Sequence, residues 1–104
     1  MKKAILQKYA KLLVEKGVNL QKDQELHLFI GIDQEPLAVE ITKAAYKAGA
    51  SRVRVEWSSE AVQRVHYKRL SAKALGKVED FELARLQYRV DHLPARLYIT
   101  SEDP

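Results

Sequence analysis

The feature that most constrains this chain is a strand, a helix and a second strand in immediate succession. Glu25 to Ile30 reads as a strand, with Leu26, Leu28 and Ile30 on one face and His27 and Phe29 on the other. Apolar residues on both faces suit a central strand covered on both sides. Gly31 to Pro36 is a turn into a helix that runs to about Lys47. Pro36 fits the first helical turn, where its missing N–H does no harm. Asp33 or Gln34 falls near the cap, and Glu35 favours the positive end of the helix dipole. Leu37, Ile41, Ala44, Ala45 and Ala48 form the apolar side, and Gly49 is the stop. Ser51 to Trp57 is the second strand. Val53, Val55 and Trp57 alternate with Arg52, Arg54 and Glu56, which marks a strand with one wetter face, near a sheet edge. A crossover of about twenty residues joins parallel strands and turns right-handed. The fold expected is therefore α/β: three layers, a mostly parallel sheet built on a right-handed βαβ unit, and helices on both faces.

The flanks extend this unit. A first helix is expected from about Lys2 to Lys16, with Ile5, Leu6, Tyr9, Ala10, Leu12 and Leu13 in its apolar stripe and Gly17 as a left-handed stop. Val18 and Leu20 tuck against its end. After the second strand, Ser58 or Ser59 caps a helix through about Leu70, with Val62, Val65, His66 and Arg69 on one stripe. Ser71 caps a short turn, Ala72 to Leu75, closed by Gly76. A further helix spans Val78 to Val90 and offers Phe81, Leu83, Ala84, Leu86, Tyr88 and Val90 for burial. Pro94 closes it, and Ala95 to Thr100 is a third strand, with Leu97 and Ile99 opposite Tyr98. A chain of 104 residues with no internal repeat or interdomain linker fits one domain. Stopping just after an inner strand, at Ser101-Glu102-Asp103-Pro104, it reads as a domain cut short.

Composition excludes several classes of chemistry. There is no cysteine, so disulfides, thiolate zinc sites and a cysteine nucleophile are impossible; this fits a reducing compartment. The apolar stretch after Lys2-Lys3 is broken by Gln7 and Lys8, too short for a signal peptide core. No run approaches the roughly 18 apolar residues of a membrane span. The net charge of +4 comes from 18 basic and 14 acidic residues. Part of it lies in residues 52–73, where Arg52, Arg54, Arg64, Lys68, Arg69 and Lys73 face only Glu56 and Glu60. Basic and acidic residues interleave along most of the chain, as on a mixed, solvated surface. The alternative is a stand-alone basic module for nucleic acid or an acidic partner.

No catalytic, cofactor-binding or metal-ligating set emerges from the residues. The four glycines form neither G-x-G-x-x-G nor a P-loop. Gly31 with Asp33 stands where α/β sheets place ligand turns, but an isolated turn glycine needs no ligand. His27, His66 and His92 form no metal-spaced pair; His27 reads as a packed or surface histidine. Ser58-Ser59 lacks the glycines of a nucleophile elbow and has a capping role instead. Glu79-Asp80 suits a helix N-terminus, and Glu102-Asp103 ends the chain. Trp57 reads as a packing residue, with a cleft wall as the other reading. A small enzyme with a site around Gly31, Asp33 and Trp57 to Ser59 stays open as a further alternative.

Some segments carry a resemblance. Tyr9 to Gln24, YAKLLVEKGVNLQKDQ, resembles the opening of metallo-aminopeptidases of the aminopeptidase T and aminopeptidase S type. Ala44 to Ala50, AAYKAGA, followed by Val53 to Trp57, VRVEW, matches the same family in order and spacing. The likeness covers most of residues 5–60; the closing Ser101 to Pro104 is similar to the family's turn after its strand. It implies cytoplasmic exopeptidases that remove N-terminal residues from peptides with two divalent metal ions, zinc or cobalt, and that form homodimers. It places the metal ligands and acid–base residues in a larger C-terminal domain, and none of those motifs maps onto a position here. The α/β N-terminal domain of such proteins helps to wall the active-site cavity. The expectation is thus an N-terminal, non-catalytic domain. Its partner is the catalytic domain of the same protein, with no role for a membrane or nucleic acid.

Overall fold

The computed structural model describes residues 2–77 and 79–99. Their order is α1 (Lys3–Leu12), a π-helical turn (Leu13–Gly17), β1 (Glu25–Gly31), a 3-10 turn (Ile32–Gln34) and α2 (Glu35–Lys47). There follow β2 (Arg52–Ser58), α3 (Glu60–Arg69), α4 (Ala72–Gly76), α5 (Asp80–His92) and β3 (Ala95–Ile99). The three strands form one parallel sheet in the order β2-β1-β3. The register sets Leu26 beside Val53 and Ala95, and Leu28 beside Val55 and Leu97. The fold is α/β, and β2 is an edge strand, as its alternation predicts.

The core lies on one face of this sheet. Leu26, Leu28 and Ile30 pack with Ala10 and Val14 from the first helix and its π turn, and with Leu37, Ala38, Ile41 and Ala45 of α2. Small residues on both helices let their backbones come close to the strand. At about 25 cal/mol per Å² of apolar surface removed from water, this cluster supplies most of the drive to fold. The second crossover, from β2 to β3, returns across the sheet in the opposite sense. Two right-handed crossovers leaving in opposite directions must use opposite faces. Accordingly α5 lies over His27 and Phe29, away from α2.

Two expectations are corrected, one at Gly17 and one on α5. Gly17 is not a left-handed stop. The first helix widens into the π turn, where the Val18 N–H reaches the Leu13 carbonyl at 2.9 Å, and the left-handed residue is Asn19, φ 48°. Val18 and Leu20 do tuck in behind it. On α2, Glu40 is buried, at 7% exposure, beside Lys43. On α5, Phe81, Leu83, Ala84, Leu86 and Val90 do not pack into a core: all are exposed. The reason is the face they would have to meet, which is lined by Arg54, Glu56, Glu25 and His27 rather than by aliphatics. Gly49 is a true helix stop, with φ +102°; a Cβ there would meet Lys22 at 3.3 Å.

The result is a slab, 44 × 37 × 16 Å, with a radius of gyration of 15.6 Å. A packed domain of about 100 residues has a radius near 13 Å. The accessible surface is 7981 Å², against about 6,000 Å² for a folded monomer of this mass. The excess goes with the β2-to-β3 crossover: among the described residues of α3, α4 and α5, none is recorded as buried.

Candidate functional site

The polar face of the sheet and α5 enclose a groove of about 580 Å³. Its floor comes from the alternation of β1 and β2. Residues opposite the aliphatic core positions are Glu25, His27 and Phe29 on β1 and Arg54 and Glu56 on β2, paired His27 to Arg54 and Phe29 to Glu56. Its roof is one side of α5: Phe81, Ala84, Arg85, Tyr88 and Arg89.

Glu25 is the hub at one end. The Tyr88 hydroxyl donates to its Oε2 at 2.6 Å, and Arg54 Nε donates to its Oε1. His27 Nε2 lies 3.1 Å from the same Oε1. Burial alone raises the Glu25 pKa. The hydrogen bonds from Tyr88, Arg54 and His27 outweigh it and bring the carboxyl from 4.5 down to about 2. An ionised Glu25 only accepts, so Nε2 of His27 carries the proton. Tyr88 also stacks on His92 at 4.1 Å and faces His27 at 6.0 Å. At the other end Arg85 donates to Glu56, with Glu82 3.5 Å away. The hydrogen bonds to Glu25 and Glu56 hold Arg54 and Arg85 more firmly protonated. Between the two ends Arg89 sits over Phe29, 5.2 Å from the ring centroid, and Phe29 stacks on Tyr98 at 4.5 Å.

Of the residues singled out from the sequence, His27 and Arg54 meet on Glu25 in this groove, Glu56 lines it and His92 stacks on Tyr88; the others stand apart. Gly31 is buried and extended, φ −70° and ψ 147°, so its backbone makes no demand that only glycine meets. Asp33 lies in the 3-10 turn that follows. Ser59 caps α3 through Val62 N at 3.3 Å, and Ser71 caps α4 through Ala74 N at 3.1 Å. Trp57 is 45% exposed at the end of the edge strand. His66 is exposed on α3, and Glu79 and Asp80 open α5. Glu102 and Asp103 lie outside the described residues. The basic run is partly neutralised, Arg54 by Glu25 and Arg64 by Glu60 at 3.7 Å. The groove residues Glu25, Phe29, Arg85, Tyr88 and Arg89 are ones the sequence reading did not single out as a site. The signal was the second face of β1: a strand that pairs aliphatics on one side with Glu25, His27 and Phe29 on the other asks for a polar, aromatic cover.

The donor set does not suit a metal ion. Among the described residues, no three His, Asp or Glu side chains come together in a way that could hold one. Glu25 and His27, which are in contact, have a guanidinium bonded to the same carboxylate oxygen. That cation takes the place a metal would need. Among the described residues, no helix is long and apolar enough to cross a membrane.

An open α/β unit with strand order 2-1-3 and a charged groove on one face defines the class: a doubly wound α/β domain. The chain belongs to the thermophilic metalloprotease (M29) family, whose model matches residues 2–104. Aminopeptidase PepS of Streptococcus thermophilus is 34% identical over 99 residues, which are 95% of this chain and 24% of that protein. Aminopeptidase 2 of Geobacillus stearothermophilus is 30% identical over the same proportions. The structure of wild-type AmpT from Thermus thermophilus superposes with a TM-score of 0.78 and 27% identity, covering 98% of this chain and 26% of that one. The chain therefore spans about a quarter of the length of the relatives it matches, and corresponds to their N-terminal part.

Proposed function

We propose that this chain is the non-catalytic N-terminal domain of a metallo-aminopeptidase, where it helps to wall the substrate cavity and supports assembly. The observation that carries this reading is the unburied crossover. Val62, Val65, Tyr67 and Leu70 of the α3 region and Phe81, Leu83, Leu86 and Val90 of α5 are all more than two-fifths exposed. Apolar surface on that scale marks a face made to be covered. A chain that spans 24% of PepS leaves the cover to the other three quarters of such a protein. In this reading the metal ions, zinc or cobalt, and the acid–base residues belong to that larger part. The whole protein is a cytoplasmic homodimer acting on peptide N-termini.

The test is direct. The purified 104-residue chain is incubated with aminoacyl p-nitroanilides and short peptides, with and without zinc or cobalt. No turnover is expected in any condition. Stoichiometric, metal-dependent release of nitroaniline by homogeneous material would overturn the non-catalytic assignment.

A further inference from the structure

We propose that the groove between α5 and the polar face of the sheet binds a monocarboxylate that carries an apolar group. The form we commit to is the C-terminal residue of a short peptide. The choice of a peptide rests on the aminopeptidase reading; the carboxylate chemistry stands on the groove itself.

The groove exists because of what α5 presents. On the core face, alanines at 38 and 45 let α2 settle close to the strand. Over the polar face, Arg85, Tyr88 and Arg89 act as long spacers, and the gap they leave has a volume of about 580 Å³. That lies within the range of about 300–1,000 Å³ typical of small-ligand sites. The aromatic rings of Phe29, Phe81 and Tyr88 supply apolar wall for a side chain.

The charges select the ligand. Three arginines line the groove. Arg54 is neutralised by Glu25, and Arg85 by Glu56 and Glu82. Arg89 has no carboxylate partner among the described residues; its guanidinium lies over the Phe29 ring. A guanidinium laid on an aromatic face keeps its N–H fork at the edge, where it can take a carboxylate by two parallel hydrogen bonds. Glu56 lines the same space and shares the single Arg85 charge with Glu82, so one negative charge is left over to repel a second one on the ligand. One carboxylate fits; a phosphate dianion does not.

The experiment is a nitrogen-15 NMR titration of the 104-residue chain with N-acetyl-L-phenylalanine. Saturable shifts are expected at the amides of Phe29, Tyr88 and Arg89. N-acetyl-L-phenylalaninamide and inorganic phosphate at equal concentration are expected to leave those amides in place. Arg89→Gln should weaken binding about tenfold or more, the scale of a hydrogen bond to a charged group. Arg89→Lys, which keeps the charge and loses the fork, should fall between. Absence of saturable shifts, or equal binding of the amide, overturns the proposal, as does equal binding of phosphate or wild-type affinity in Arg89→Gln. Should Arg89→Gln fail to fold, the amide arm and Arg89→Lys still decide. Because the readout is binding and not hydrolysis, turnover by the isolated chain would remove the assigned function without touching this result.

Discussion

Helices α2 and α5 are both 13 residues long, and they lie against opposite faces of the same central strand. They are held in different ways. α2 buries Leu37, Ala38, Glu40, Ile41 and Ala45, and its contact with β1 is aliphatic. α5 buries nothing fully; it is tied down by Tyr88 on Glu25, Arg85 on Glu56 and Arg89 on Phe29. Aliphatic packing neither titrates nor suffers charge screening. A latch of ion pairs and hydrogen bonds responds to pH and salt, and half-exposed pairs contribute little each. One sheet thus has a face that makes the fold and a face that the fold merely holds in place.

The comparison can be broken by substitution. Leu28→Ala, at a fully buried site in the centre of the aliphatic face, should cost about 2–5 kcal/mol in urea unfolding. A cost near zero would mean that the core lies elsewhere. Glu25→Gln should cost less, about 1–3 kcal/mol, because the nearly buried carboxylate loses the charge that strengthens its bonds from Tyr88, Arg54 and His27. Its signature should be local, with amide exchange rising in α5 while α2 stays protected. The pH dependence follows from the sign of the shift. The folded Glu25 pKa, about 2, is below the ordinary 4.5, so its contribution is complete above about pH 4.5 and is lost as pH falls towards 2. In Glu25→Gln the fall of stability across that window should be shallower than in the wild type. If the two curves are parallel, Glu25 is not the latch. Val90→Ala is the smallest step. With Val90 68% exposed, the change should stay within about 0.5 kcal/mol. A cost matching Leu28→Ala would show that α5 has a core after all.

Much of the architecture was legible because it rests on local rules. Period-two alternation in Val53, Val55 and Trp57 marked β2 as an edge strand, and Ser59, Ser71 and Gly49 marked helix ends. The parallel order followed from a crossover too long for a hairpin. What was not legible depends on distance. Arg54 and Tyr88 lie 29 and 63 positions from the Glu25 carboxylate they share, and nothing local announces that they meet. The first helix misled for a different reason. A glycine after a helical stripe is the usual stop, but here a π turn shifted the register, and Asn19 took the left-handed conformation. The burial expected for α5 failed because Phe81, Leu86 and Val90 were judged by their own apolarity, without regard to the charged face opposite.

The surface described above has a thermodynamic consequence. A native state that already wets about 2,000 Å² more than its mass requires has less left to expose when it unfolds. Both the denaturant slope and the heat-capacity increment scale with newly exposed area. For this chain both should fall below what 104 residues would ordinarily give. Its stability curve should be correspondingly broad and shallow, and its unfolding transition spread over a wide span of urea or temperature. A gentle transition in this protein is therefore a mark of its native form, and no sign that its folding lacks cooperativity.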